Sequence, residues 1–164
     1  MKLQTIASII LAVFMLSGCG TVMGVKAPPE ASSMEKIIDI AKADKDELYI
    51  KANTWFVDTF VSAESVIEFQ DKEAGKIAGK YTFEYSEGFQ RYRVKQTIDL
   101  SIRDNMVRVE IRSPVFRVVH SASRSMPHTE YVPLETQAGL NKARTEWNML
   151  INSLEEALRQ SYEW

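Results

Sequence analysis

Apolar positions along the chain change their period near Ser62, from three-and-four to two, so a helix runs directly into a hairpin. Leu48, Ala52, Trp55, Phe56 and Thr59/Phe60 form one stripe down a helix. Asp44 is placed to cap that helix, with Asp46 and Glu47 in its first turn, where acidic side chains favour the helix dipole. Past Ser62, Ile67 and Phe69 alternate with Glu68 and Gln70. Then Ile77, Gly79, Tyr81, Phe83 and Tyr85 alternate with Ala78, Lys80, Thr82 and Glu84. Such alternation gives a sheet one buried face and one wet face.

Ser86-Glu87-Gly88 breaks the pattern with a turn glycine. Tyr92, Val94, Gln96, Ile98, Leu100 and Ile102 then share one side of the clearest strand. Asp104-Asn105 reverses the chain, and Val107, Val109 and Ile111 begin an antiparallel partner. Pro114 is expected to end that partner or mark an edge, with Val115 to His120 a further short edge strand. Ser121 to Pro133 reads as a loop. The last helix is predicted from about Thr136 to Ser161, its stripe of Leu140, Ala143, Trp147, Leu150, Ile151, Leu154 and Leu158 lying across the sheet. Met34 to Ala41 fits a short strand or a helical turn.

The runs ELYIKANTWF and SVIEFQDKEAGKIAGK resemble the domain-of-unknown-function family 4468, whose fold is like that of the TATA-binding protein. The likeness is dense from Glu47 to about Lys80, and the order of elements agrees from Met34 to the C-terminal helix. It implies that Met34 to Ala41 is a strand, and that the protein belongs to an envelope. It also implies an α+β fold: a curved antiparallel sheet of about five strands with two helices on one face, in the order β-α-β-β-β-β-α. It implies no activity, because the family has no assigned catalytic residues.

Upstream of the domain, Lys2 precedes an apolar run from Ile6 to Leu16 and then Leu16-Ser17-Gly18-Cys19. The run is shorter than the ~20 apolar residues of a spanning helix, so residues 1–18 read as a lipoprotein signal peptide. Cys19 is the expected lipidation site, its thiol alkylated by a diacylglyceryl group and its new amino group acylated. Gly20, in place of aspartate, favours display on the outer membrane facing the periplasm. Residues 19–33, with Pro28-Pro29 among small residues, are expected to form a tether, and 34–164 a single domain.

Hydrophobic residues make up 45% of the chain and charged residues 26%, ordinary values for a packed domain. The formal charge of -2 becomes -3 once Lys2 is cleaved away, which argues against nucleic acid as a partner. A single cysteine excludes an intramolecular disulfide, and two histidines, His120 and His128, at no ligand spacing argue against a metal. No cofactor is expected.

Candidate chemistry is sparse. His120-Ser121 with Ser123 and Ser125 crowds base and nucleophile types together without a nucleophile elbow, so a polar loop explains them better. Asp71, Lys72 and Glu73 resemble a carboxylate site, but before Ala74-Gly75 they read as a hairpin turn. Gly75 and Gly79 lack the order of a phosphate loop. Trp55, Phe56 and Trp147 read as core rather than as a ligand pocket, and Trp164 ends the chain without a periodic partner. The strand pleat places Lys76, Lys80, Arg91, Arg93, Lys95, Arg103, Arg108 and Arg112 on the face opposite the helices, against Glu84, Asp99 and Glu110. That face is the expected contact for an envelope protein, an anionic glycan or anionic lipid. The function expected is a lipid-anchored, non-catalytic binding or assembly module, with a small envelope hydrolase as the alternative.

Overall fold

The computed structural model describes residues 25–60, 66–121 and 130–160. Strand β1 (Ser33–Asp39) leads to helix α1 (Lys45–Thr59), followed by β2 (Val66–Asp71), β3 (Lys76–Glu87), β4 (Gln90–Arg103), β5 (Met106–Ser121), the two-residue β6 (Val132–Pro133) and α2 (Gln137–Arg159). All pairings are antiparallel, in the order β1-β5-β4-β3-β2, with β6 added beside β5 at Val115 and Phe116. The expected α+β architecture is therefore present, and β6 is its one extra strand.

Local chemistry explains the turns. Asp44 caps α1 by accepting the Glu47 amide at 2.8 Å, and Thr136 caps α2 by accepting that of Gly139. In the β2–β3 turn, Asp71 Oδ1 accepts the Ala74 amide at 2.8 Å and Gly75 takes a positive φ, so the acidic run is a hairpin turn. Asn105 reverses β4 into β5, also at positive φ.

Both helices cover one face of the sheet. Leu48, Ala52, Trp55 and Phe56 from α1 and Leu140, Ala143, Trp147, Ile151 and Leu154 from α2 are buried against Ile77, Val94, Ile98, Leu100, Val107, Val109 and Ile111. Each fully buried aliphatic side chain contributes roughly 1.5–3 kcal/mol. Two polar contacts fix the layers. Trp147 Nε1 donates to the buried Gln96 Oε1 at 2.5 Å, and Trp55 Nε1 donates to Ser153 Oγ at 3.1 Å. Lys51, on the inward side of α1, is buried with its ammonium 2.7 Å from Glu47 and 3.2 Å from the Leu158 carbonyl. Trp55 and Trp147 are core, as their spacing indicates.

Three expectations are corrected. Pro114 does not end β5: Ser113, at positive φ, and Pro114 together oppose Gln96, a bulge that lets the strand continue to Ser121. Val115 to His120 thus remains in β5, paired with β4. In β2, a bulge at Glu68 breaks the alternation, so Ile67 faces the helices but Phe69 turns outward opposite Ala78 and is exposed. Part of the segment expected as a tether packs on the domain, from the first described residue, Val25. Its carbonyl accepts the Gln137 amide, Ala27 donates to the Glu135 carbonyl, and Ala27 and Ala31 join the core. Residues 1–24, with the signal and Cys19, lie outside the described residues, as do Ser123, Ser125, His128 and Trp164.

Gly79 is the position where β3 meets α1 most closely. A Cβ there would stand 2.8 Å from the Val66 carbonyl oxygen and 2.9 and 3.0 Å from ring carbons of Phe60 and Phe56. Gly79→Ala should therefore lower unfolding free energy by ~1–3 kcal/mol, read as a lower denaturant midpoint at unchanged slope.

Candidate functional site

The face of the sheet away from the helices carries the predicted cations, and the register gives their neighbours. Across the sheet run the rows Ile37, Arg108, Ser101, Lys76, Asp71; then Glu35, Glu110, Asp99, Ala78, Phe69; then Ser33, Arg112, Thr97, Lys80, Val66. Beyond them, Lys95 stands between Thr82 and Val115, and Arg93 between Glu84 and Arg117. Glu35, Asp39, Glu68 and Asp71 therefore join Glu84, Asp99 and Glu110, and the surface is mixed in sign rather than basic. Sequence reasoning missed these acids because it paired the inner strands and left both edge strands out.

Most of the cations are committed within the sheet. Arg93 donates to Glu84 Oε1 through Nε at 2.8 Å and Nη2 at 2.5 Å, and Arg91 lies 3.7 Å from the same carboxylate. Arg112 reaches Asp99 at 2.9 Å and Glu110 at 3.8 Å. Lys80 bonds Thr97 Oγ1 at 2.6 Å and lies 3.6 Å from Glu68. Lys95 and Arg117 each lie within 5 Å of the Tyr131 ring centre, at 4.8 and 4.9 Å. Arg117 lies in the segment expected as a separate edge strand, and its pairing with Arg93 brings it onto this face.

The exception is the end of the sheet near the Asp104-Asn105 turn. Lys76, Arg103 and Arg108 are exposed there, and none makes an ion pair with a described residue. They line a cleft of about 270 Å³ together with Ile37, Ser101 and Met106, and Lys76 Nζ bonds the Ser101 hydroxyl at 2.6 Å. A second cleft of about 380 Å³ lies between Pro28, Pro29, Pro114, Pro133 and Leu140, where the N-terminal segment crosses the β5 bulge. Its two charged residues, Lys26 and Glu135, pair with each other at 2.9 Å. No group of three or more metal-ligating side chains occurs among the described residues.

The profile of the "domain of unknown function (DUF4468) with TBP-like fold" matches residues 35–117, just over half of the chain. The chain belongs to the DUF4468 family. A solved DUF4468 protein from Bacteroides ovatus is similar at TM-score 0.58 and 15% identity, over 88% of this chain and 98% of that one. A TBP-like protein from Parabacteroides distasonis is similar at TM-score 0.57 and 11% identity, over 75% of this chain and 92% of that one. At these identities the likeness establishes the fold. No curated protein sequence matches.

The DUF4468 match ends inside a three-stranded arm formed by the distal halves of β3, β4 and β5. On its helix-side face Tyr81, Phe83, Tyr85, Tyr92 and Phe116 continue a row that starts at Phe60, at the end of α1, with ring centres 5.0–6.5 Å apart. His120 and Ser121 occupy the end of β5, opposite Arg91 and Gln90, rather than a loop. Burial, then the Tyr81 bond to Glu146 at 2.9 Å and that carboxylate's charge, push the Tyr81 phenol up. Burial, then Glu87 and Tyr92, push Tyr85 up to about 12 from 10.0.

A raised phenol pKa contributes stability that is whole below the unfolded value and lost as pH rises through the folded one. Between pH 10.0 and about 12, the unfolded chain ionises Tyr85 first and the folded state weakens. Tyr85→Phe should lose one late-titrating phenolate in the ultraviolet difference spectrum and lessen the stability loss in that window. Loss of a phenolate that titrates near 10.0 instead, with the late part of the curve unchanged, would show that the ring is hydrated.

Proposed function

We propose that this DUF4468 protein is a lipid-anchored, non-catalytic binding module of the bacterial envelope, displayed on the outer membrane towards the periplasm. The observation that carries this reading is the docking of the chain at Val25, six residues beyond the lipobox cysteine. Six residue steps extend at most ~20 Å, so a lipidated Cys19 holds the domain within a short reach of the bilayer. Two or more acyl chains anchor stably where one binds only marginally. The uncovered face of the sheet is the surface left for a partner, whether envelope protein, anionic glycan or anionic lipid. Nucleic acid fits poorly with the acidic net charge.

Support for a non-catalytic role comes from the shifted groups among the described residues. Those on tyrosines follow chiefly from burial, and Glu155 is held below the ordinary carboxylate range by hydrogen bonds from Lys36 and Arg159. These groups join α2 to β1, line the aromatic arm or, for Tyr49, sit on α1 beside the Asp71-Lys72 turn.

Cys19→Ser should release the protein from the membrane fraction or leave an uncleaved precursor, and should abolish the added acyl mass. Equal mass and equal membrane fraction in wild type and variant would remove the anchor from the reading. Joint replacement of His120, Ser121 and His128 by alanine should leave any cellular phenotype intact. Its loss with an unchanged melting temperature would instead favour a hydrolase.

A further inference from the structure

We infer that the cleft formed by Lys76, Arg103 and Arg108 binds a phosphate monoester carried on a short apolar stem. Lys76 on β3 and Arg108 on β5 flank Ser101 on the strand between them, and Arg103 follows two residues further along β4. Adjacent strands lie ~4.8 Å apart, so three long cationic side chains converge around one hydroxyl. Elsewhere on this face Arg91, Arg93, Arg112 and Lys80 are neutralised by carboxylates within the sheet. Asp39 and Asp71 stand at the margins of the cleft, but Asp71 is engaged by the Ala74 amide and neither pairs with the three cations.

Three positive charges around one small volume favour a ligand with more than one negative charge. A phosphate monoester carries about -1.5 to -2 at pH 7, and guanidinium forks match its oxygens in pairs. The stem follows from the rest of the lining. Ile37, which is 53% exposed, and Met106, which is 38% exposed, flank Arg108 and Arg103 and present apolar surface to the cleft. At about 270 Å³ the cleft lies at the lower end of ligand-pocket sizes, enough for the headgroup and the first carbons of a stem. The larger proline-lined cleft lacks such a group, since Lys26 and Glu135 satisfy each other.

The test is calorimetric titration of the purified full chain in detergent with hexyl phosphate, glycerol phosphate, inorganic phosphate and hexanoate. Hexyl phosphate should bind about tenfold more tightly than inorganic or glycerol phosphate, the gain from burying roughly two methylenes. It should also bind more tightly than hexanoate, and lose affinity below about pH 6 as the monoester takes up its second proton. Arg103→Gln with Arg108→Gln should abolish binding at an equal or higher melting temperature, while Arg91→Gln should preserve it. Equal affinity for inorganic and hexyl phosphate would overturn the apolar stem, and equal affinity for hexanoate the dianion. Undiminished binding by the double variant would overturn the site. Because these readouts do not involve Cys19, they stand or fall separately from the lipid anchor.

Discussion

Continuity of β5 through the Ser113-Pro114 bulge is the constraint on which the rest of the structure depends. This strand pairs with β4 along its length, with β1 over its first half and with β6 beyond the bulge. A proline in mid-strand removes a ladder donor, and a flat strand would leave that gap beside a neighbour. Positive φ at Ser113 takes up the extra residue, and Pro114 then offers its carbonyl to the Leu134 amide at 2.9 Å. The same point brings in Leu134, the start of α2 and the N-terminal segment, whose Ala27 bonds Glu135. A chain that stopped at Pro114 would have neither the aromatic arm nor a docking place for its own beginning.

With both helices on one face, the two faces of the sheet must find stability by different means. The inner face does so by burial, anchored where Trp147 meets Gln96 and where Gly79 admits the Phe56 and Phe60 rings. The outer face alternates charges across neighbouring strands, each exposed pair contributing about 0–1 kcal/mol. Its main effects are solubility and discouragement of edge pairing. A cluster of like charges on such a lattice carries a cost that the lattice elsewhere avoids. That contrast, more than the number of cations, distinguishes Lys76, Arg103 and Arg108.

Periodicity made the helices and inner strands legible, because long amphipathic stretches report burial directly. Asp44, the Asp71 turn and Asn105 were equally readable, each a short-range hydrogen bond or a tolerated positive φ. What the pattern hid were the places where two-residue periodicity slips: Glu68, Ser113-Pro114 and the Val119 region of β5. A bulge is set by the partner strand and leaves no mark in its own strand's alternation except an apparent error, such as Phe69 facing water. The outer face was misjudged for a related reason. Its cations and the acids Glu84, Asp99 and Glu110 that pair with Arg91, Arg93 and Arg112 were assigned to the correct side, but the further acids Glu35, Asp39, Glu68 and Asp71 sit on β1 and β2, whose placement at the two edges follows from topology and not from local sequence.

Topology also separates the proposed anchor from the proposed ligand site. Val25 docks beside the start of α2, near the Pro114 end of the β5 bulge, whereas the cationic cleft lies by Met106, at the other end of the β1–β5 pairing. The six residue steps from Arg112 to Met106 span ~20 Å of strand, comparable with the full extension from Cys19 to Val25. Under the proposed anchoring, a phosphate in the same leaflet would reach the cleft only with the outer face of the sheet along the bilayer. A phosphate ester free in the periplasm reaches it in any orientation. With the anchor proposed at Cys19, the orientation of the sheet, rather than distance alone, would decide which source of phosphate the cleft meets.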